Sequence, residues 1–281
     1  MPLVNLNDVL VPAYNGGYAV PGFNFHTYED AKAIVKGAEL LKSPVILMAS
    51  GSCIRHLGLD LSIEIVKFLA KNTSIPVVAH LDHATDINLI FQAMTKGFTS
   101  VMYDGSLLDI EENIKNTKLV VKVARALGIN VEAEIGRVGK SEEGKDAKEI
   151  LTDPEIAESF FDATQVDALA VAVGTAHAMQ KQEANIRFDL VEKLSNILNV
   201  PLVLHGSSGV KNEDLIRISK TKFSKVNIGT ILKTVYMEKI REILKDNPEL
   251  RDQIKLLESA ANAVVETVKE KIRFLGSDNK A

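Results

Sequence analysis

Ser43-Pro44-Val45-Ile46-Leu47-Met48-Ala49-Ser50 closes a helical stretch, turns through proline and runs as an unbroken apolar strand to a polar residue. Ile75-Pro76-Val77-Val78 and Val200-Pro201-Leu202-Val203 repeat this grammar. Proline holds the residue before it out of helical space and is tolerated at the first position of a strand. Outward from these junctions, short apolar runs predict strands at 19–25, 45–49, 77–81, 100–103, 130–135, 168–173, 202–205 and 225–228. Helical periodicity predicts helices at 28–41, 59–71, 87–96, 110–127, 154–164, 190–198 and 213–221, and an eighth beginning near Ile231. Gly97 and Gly128 follow basic helical stretches and suit the left-handed position that ends a helix. Eight strands alternating with eight helices imply a parallel sheet, and that count closes into a (β/α)8 TIM barrel. No linker or shift of composition divides the chain, so 1–281 is expected to be one domain. Additional helices follow at the carboxyl end, where Leu250, Ile254, Leu257, Ala261, Val264, Val268 and Ile272 recur at helix spacing across 247–276. That stripe packs either on the barrel or on a second copy. The polar segment 136–152 is the longest connection after a strand and is a lid candidate.

Composition excludes several classes. The 281 residues carry 33 Lys+Arg against 37 Asp+Glu, a net charge of −4, which argues against a nucleic-acid partner. An apolar content of 46% excludes a chain disordered throughout. The lone Cys53 forms neither an internal disulfide nor a cysteine zinc cluster. The start, MPLVNLNDVL, lacks the basic and long apolar segments of a secretory signal, and no run approaches the roughly 18 apolar residues of a membrane span. The expectation is a cytoplasmic protein with no membrane partner.

Strands of an all-parallel barrel are buried on both faces and should read as continuous apolar runs. The exceptions cluster at carboxyl ends, the face on which such barrels place their chemistry. They are Asn24, Ser50, Asp82 with His83, Asp104, Glu132 with Glu134, His177, His205 and Asn227. A single histidine in an apolar run is more often a hydrogen-bonded core residue than a ligand. Three of them, His83, His177 and His205, converge on one rim, and three imidazoles leaving an open position are what a catalytic zinc requires. His80 is either a second layer behind them or satisfied core, while His26 and His56 fall in expected loops without a partner. Glu132 and Glu134 share a strand face and aim at the mouth, where buried carboxylates need cations or hydrogen bonds. Asp104 serves either the same cluster or its own turn, Asp104-Gly105-Ser106. His205-Gly206-Ser207-Ser208-Gly209 and Asn227-Ile228-Gly229-Thr230 follow strands seven and eight, the usual position of a barrel's phosphate cradle.

From Tyr18 to about Gly276 the chain resembles the class II, zinc-dependent ketose-bisphosphate aldolases, the fructose- and tagatose-bisphosphate family, and is closer to the tagatose-type branch. The motifs that carry the resemblance are HLDH at 80–83, GFTSVMYDGS at 97–106, VEAEIG at 131–136, VGTAHA at 173–178 and LHGSSG at 204–209. The resemblance implies reversible cleavage of a ketose 1,6-bisphosphate, fructose or tagatose, to dihydroxyacetone phosphate and glyceraldehyde 3-phosphate. It implies zinc on His83, His177 and His205, with Asp104 and Glu134 at the position of a second divalent metal, and a monovalent cation, Na+ or K+, near the substrate phosphate. Asp82 matches the group that exchanges a proton with the substrate oxygen, and Glu142 the general base on dihydroxyacetone phosphate. Asn227 matches the residue that bonds the ene-diolate. Gly206, Ser207, Ser208 and Thr230 match the phosphate cradle, with Asn24 and Ser50 beside the substrate. Arg251 matches an arginine that reaches a neighbouring subunit's substrate, which implies a homodimer or homotetramer. A barrel lysine would be needed for the alternative Schiff-base chemistry. Lys225, the only lysine in an expected strand, starts strand eight at the end away from the mouth.

Departures from the family pattern concern the substrate. Ala178 replaces a usual glycine and Gln180 a usual tyrosine, while Lys140 interrupts a glycine pair in the lid. Gly229 stands where fructose-type enzymes carry aspartate, and Arg251 sits in ELR instead of DPR, with Gln253 replacing an aromatic residue. Two other readings remain: a paralogue joining dihydroxyacetone phosphate to a different aldehyde, and a non-catalytic barrel subunit.

Overall fold

Strict alternation along short strands decides which side chains fill the barrel and which face the helices around it. In a computed structural model of the chain, eight parallel strands close on one another: β1 (Val20–Asn24), β2 (Val45–Ala49), β3 (Val77–Ala84), β4 (Ser100–Tyr103), β5 (Asn130–Ile135), β6 (Ala168–Val171), β7 (Leu202–Leu204) and β8 (Phe223–Ile228). Each pairs with its successor and β8 returns to β1, through Val226 opposite Pro21 and Asn227 opposite Gly22. The structure describes residues 3–142, 145–147, 150–177, 179 and 181–281, with side chains described for all of these except 140–142 and 145–147.

The connecting helices are α1 (Tyr28–Leu40), α2 (Gly51–Lys71), α3 (Ile87–Lys96), α4 (Ile110–Ala126), α5 (Pro154–Thr164), α6 (Phe188–Ile197), α7 (Asn212–Ile218) and α8 (Thr230–Asp246), followed by α9 (Gln253–Leu275). Their starts follow capping chemistry. Thr27 accepts from the Asp30 N–H, while Asp109 and Asp153 cap α4 and α5. Gly97 and Gly128 take positive φ, as their places in the sequence predict. Phe23, Leu47, Ala79 and Val101 face outward into the main core. The opposite parity, including Ile46, Met48, Val78 and Val203, fills the lumen.

Several expectations need correction. The amino-terminal segment, for which the sequence pattern offers no element, forms two. Leu3–Val4 pairs with β3, and Leu6–Gly16 is a helix whose Leu6, Val9, Leu10 and Ala13 plug the lumen from below. Helix α2 begins at Gly51 and contains a non-helical Gly58 (φ 76°), so His56 is helical, not in a loop. Within 136–152 the described residues form strands and not only loop: Gly139–Glu142 pairs antiparallel with Lys145–Ala147 and parallel with the two-residue strand Ala176–His177. The tail is broken between Asp246 and Gln253 instead of continuously helical, and Ile254 is 71% exposed. Only the later part of the stripe, Val264, Val268 and Ile272, is buried. No helix among the described residues is long and apolar enough to cross a membrane.

Candidate active site

Asp82 and His83 stand next to the end of strand β3, adjacent residues that regular alternation would send to opposite faces. The register against β4 slips between Leu81 and Ala84, and His83 takes φ 50°. This bulge lets both side chains face the mouth, and left-handed backbone at a residue other than glycine is strain of the kind held at functional sites. His205 follows β7 directly, and His177 lies on the short strand hydrogen-bonded to Gly139–Glu142. The ring centroids are 4.5 Å apart for His83–His205, 5.1 Å for His83–His177 and 5.9 Å for His177–His205.

Two of the three imidazoles are held from behind by carboxylates. His83 Nδ1 lies 2.8 Å from Asp104 Oδ2 and His205 Nε2 lies 2.9 Å from Glu132 Oε1. The other nitrogens of the two rings, His83 Nε2 and His205 Nδ1, face one another at 2.7 Å. One ligand atom from each of His83, His177 and His205 falls within 4.8 Å of the others, as does the set His83, Asp104 and Glu134. Glu134 Oε2 is buried without a hydrogen-bond partner. Two imidazoles pinned by carboxylates, a third beside them and an orphaned carboxylate oxygen suit a divalent cation. Asp104 also accepts from the Ser106 N–H and hydroxyl (3.1 and 2.7 Å), so its turn chemistry and its place in the cluster coexist.

The electrostatics agree. Burial works against a charge on His83, but Asp82, the Asp104 hydrogen bond and Glu134 raise its pKa to about 10. Burial pushes Glu134 up to about 8. Burial works against Asp104 as well, but its hydrogen bond to His83 holds its pKa well below the carboxylate range. Burial, reinforced by the charge on His83, keeps His205 neutral. Asp82 is 4% exposed, accepting from Asn24 Nδ2 at 2.8 Å and from Asn227 Nδ2 at 3.4 Å.

One cavity of about 570 Å³ is lined by Asn24, Ser50, Asp82, His83, Asp104, Glu134, His177, His205, Gly206, Ser207, Ser208, Asn227, Gly229 and Thr230. Gly206 (φ 65°) packs so closely that an added Cβ would meet the Ala176 carbonyl carbon at 2.7 Å. The Ser208 hydroxyl and Asn227 Oδ1 are buried without partners. Thr230 opens α8. Arg251 lies exposed between α8 and α9 and does not line this cavity. Ala178 and Gln180 lie outside the described residues, as do the side chains of Glu142 and Lys140.

Glu132 does not reach the mouth. It lies below it, fully buried, and Lys225 Nζ is 2.7 Å from its Oε2. Lys225 is therefore not at a strand start but in the lumen, because β8 begins at Phe223. His80 joins this deeper layer, with Nδ1 2.8 Å from Ser100 Oγ and Nε2 3.7 Å from Glu132 Oε2. His26 lines the cavity after all, as do Ser52, Arg55, Arg137 and Lys233, which sequence reading did not select. Arg137 directly follows the VEAEIG motif and Lys233 lies one turn into α8, so position relative to strand ends was the available signal.

Comparison with known proteins fits a barrel lyase. The chain matches the family "Fructose-bisphosphate aldolase class-II" over residues 4–280. It is 38% identical to a sulfofructosephosphate aldolase of Alkalicoccus urumqiensis over 286 aligned residues, 100% of this chain and 99% of that one. The crystal structure of the YdjI aldolase of Escherichia coli K12 superimposes with a TM-score of 0.88 at 34% identity, covering 99% of both chains. The fructose-bisphosphate aldolase of Campylobacter jejuni shares the fold, with a TM-score of 0.85 at 22% identity over 100% of this chain and 97% of its own. The chain belongs to the class II fructose-bisphosphate aldolase family. It is a lyase of phosphorylated sugars, and its family is typically metal-dependent.

Proposed function

We propose that the chain cleaves, reversibly, a ketose 1-phosphate bearing a second anion at its far end, releasing dihydroxyacetone phosphate and a three-carbon anionic aldehyde. The observation that carries this reading is the cavity, in which three imidazoles and Asp82 share one wall system with Arg55, Arg137 and Lys233. The far anion is a phosphate, as in fructose or tagatose 1,6-bisphosphate, or a sulfonate. The second choice is favoured by the 38% identity to a sulfofructosephosphate aldolase. Both anions present tetrahedral oxygens to guanidinium donors.

His83, His177 and His205 would hold zinc, with Asp104 and Glu134 forming an alternative divalent position around His83. Zinc, when bound, supplies electrophilic stabilisation of the charge that develops as the carbon–carbon bond parts. Asp82, fixed by Asn24 and Asn227, takes the proton of the hydroxyl that becomes the aldehyde. Glu142 moves the carbon-bound proton, a role supported by the pairing of Gly139 and Lys140, on its own strand, with Ala176 and His177. Gly206, Ser207, Ser208, Gly229 and Thr230 offer backbone and hydroxyl donors to the C1 phosphate at the start of α8, with Ser50 and Ala178 beside it. Asn227 steadies the oxygens of the three-carbon fragment. Arg251, on an exposed connection, reaches a substrate only from a second copy of the chain, so this reading carries a homodimer or homotetramer.

The test is dihydroxyacetone phosphate release from fructose 1,6-bisphosphate, tagatose 1,6-bisphosphate, 6-deoxy-6-sulfofructose 1-phosphate and fructose 1-phosphate. One of the doubly anionic sugars should exceed fructose 1-phosphate by at least about tenfold in kcat/KM, the worth of one charge-assisted contact. Equal use of fructose 1-phosphate would remove the distal anion from the proposal and favour a different aldehyde.

A further inference from the structure

Below the cavity, the lumen holds an ion pair that the reaction itself does not use. Lys225, Glu132 and His205 are all 0% exposed. Lys225 Nζ sits 2.7 Å from Glu132 Oε2, and Glu132 Oε1 lies 2.9 Å from His205 Nε2. Burying an ammonium and a carboxylate costs several kcal/mol in desolvation, about what their attraction returns, so an apolar pair of similar volume would serve stability as well. The immediate surroundings make that substitution physically easy, since Val203 pairs with Lys225 across the sheet and belongs to the apolar lumen with Met48. The pair occupies the level between the apolar lower lumen and the polar mouth.

We infer that Lys225 is a positioning residue for the metal site, acting through Glu132 to hold the His205 ring with Nδ1 presented to the mouth. The argument is one of donors and acceptors. A carboxylate gripped on Oε2 by the ammonium keeps Oε1 turned to His205, where it accepts the Nε2–H. That hydrogen bond selects the tautomer with a bare Nδ1, the atom that faces His83 Nε2 at 2.7 Å. Asp104 performs the same service for His83 from the loop side. The two ligands are thus oriented by carboxylates of different kinds: Asp104 lies at the rim with Ser106, whereas Glu132 is deep and needs a cation of its own. His80 does not supply that cation, because burial and the charge of Lys225 hold it neutral. The inference rests on the metal reading of the three histidines.

The experiment uses the full chain and two readouts: zinc affinity by competition with a chromophoric chelator, and the ring 15N shifts of His205 in metal-free protein. Wild type should bind zinc and show His205 as a single Nε2–H tautomer. Lys225→Met should bind zinc about 10- to 100-fold more weakly, the usual effect of losing an outer partner of a ligand, with His205 spread over both tautomers. Lys225→Met/Glu132→Gln leaves no buried charge and should recover the tautomer while binding zinc more weakly than wild type. Val203→Ala, a neighbour in the lumen, should lower the melting temperature and move neither readout. Wild type that binds no zinc would sink the metal reading. Zinc-binding wild type with an Nδ1–H tautomer, which needs no variant to fold, would overturn the role of Lys225 alone. So would wild-type zinc affinity in Lys225→Met, or in the double variant should the single one not fold.

Discussion

The two ends of the barrel lumen are built from the same strands with the same alternation, yet they hold opposite kinds of residue. Two steps along β1 lead from Val20 through Gly22 to Asn24, and along β3 from Val78 through His80 to Asp82. At the lower end Val20, Ile46, Val78 and Ala168 pack on Leu6, Val9, Leu10 and Ala13 of the amino-terminal helix, and every one is at most 3% exposed. At the upper end Glu134 Oε2, Asn227 Oδ1 and the Ser208 hydroxyl are buried without a partner. Each such atom costs about 1–3 kcal/mol. One end is thus packed to hold the fold and the other is left unfinished for a ligand, and strain such as the φ of His83 is tolerable only because the lower end is saturated.

The sharpest way to break this division is to cut the mouth and see whether the base notices. His177→Ala should lose metal retention and at least about a thousandfold in kcat/KM, the several kcal/mol a catalytic metal supplies, with the melting temperature of the metal-free barrel unchanged. Full activity in thoroughly chelated wild type would end the metal mechanism. Within the mouth, Asp82→Ala and Glu142→Ala should each cost about 10²- to 10⁴-fold in cleavage, as loss of a general acid or base does. They should differ in one respect. Asp82→Ala should still exchange a carbon-bound proton of dihydroxyacetone phosphate with solvent, whereas Glu142→Ala should not. Exchange at the wild-type rate in Glu142→Ala would reassign the base.

The mirror experiment is at the base. Leu10 is fully buried in the plug. Leu10→Ala should cost about 3 kcal/mol of stability, the cavity and transfer penalty of such a truncation. Zinc affinity and kcat should stay at wild-type levels, and a matching loss of zinc affinity would show that the two ends are not independent.

The mouth was far more legible in the sequence than the base. Polar residues that end apolar strands announce themselves, and Asn24, Asp82, His83, Glu134, His205 and Asn227 meet in one cavity as that pattern implied. The plug is hidden in the sequence because Pro12 stands inside Leu6–Gly16 and interrupts an otherwise helical apolar spacing. Nothing local marks the strands Gly139–Glu142 and Lys145–Ala147, because their residues are polar and the partner of the first, Ala176–His177, is distant in sequence. The depth of Lys225 is hidden for a related reason. Its meaning depends on Glu132, 93 residues away, and no local pattern reports that pairing. The bulge at His83 was equally silent, since HLDH reads as alternating strand and only the β4 register reveals the slip.

Without metal, the mouth should also respond to pH in a way the base cannot. His83 and Glu134 both have folded-state pKa values raised, to about 10 and about 8, from 6.5 and 4.5. The native state therefore keeps these protons longer than the unfolded chain does. Their stabilisation is whole below the unfolded values and is lost as pH rises through the folded ones. Chelated protein should lose melting temperature between about pH 4.5 and pH 10, Glu134 acting in the lower part of that window and His83 in the upper, and zinc should flatten the upper part by taking the proton's place on His83. Parallel slopes with and without zinc would separate these groups from the metal site.

The smallest change expected to matter is a single methyl at the mouth. Gly229 has a negative φ of −132°, outside the left-handed region reserved for glycine, so Gly229→Ala tests mainly the space around it. An added Cβ would lie 2.7 Å from Asn24 Oδ1, and Asn24 Nδ2 is the donor that holds Asp82 at 2.8 Å. The methyl must turn the Asn24 amide from its rotamer, at about 0.5–1.5 kcal/mol, and Asp82 then loses its shorter hydrogen bond. Asp82 keeps the longer one from Asn227, so the expected result is a kcat lower by a few-fold with little change in melting temperature. Gly229→Asp adds the carboxylate of the fructose-type pattern at the same point. It should also sharpen discrimination between fructose and tagatose 1,6-bisphosphates, because a directed hydrogen bond rejects an epimer better than open space does. The plug provides the contrast: Val9→Ala should lower the melting temperature and leave both kcat and the epimer ratio untouched. An unchanged kcat in Gly229→Ala would mean that Asn24 does not position Asp82, and the tight approach at Gly229 would then be packing, no different in kind from the base of the barrel.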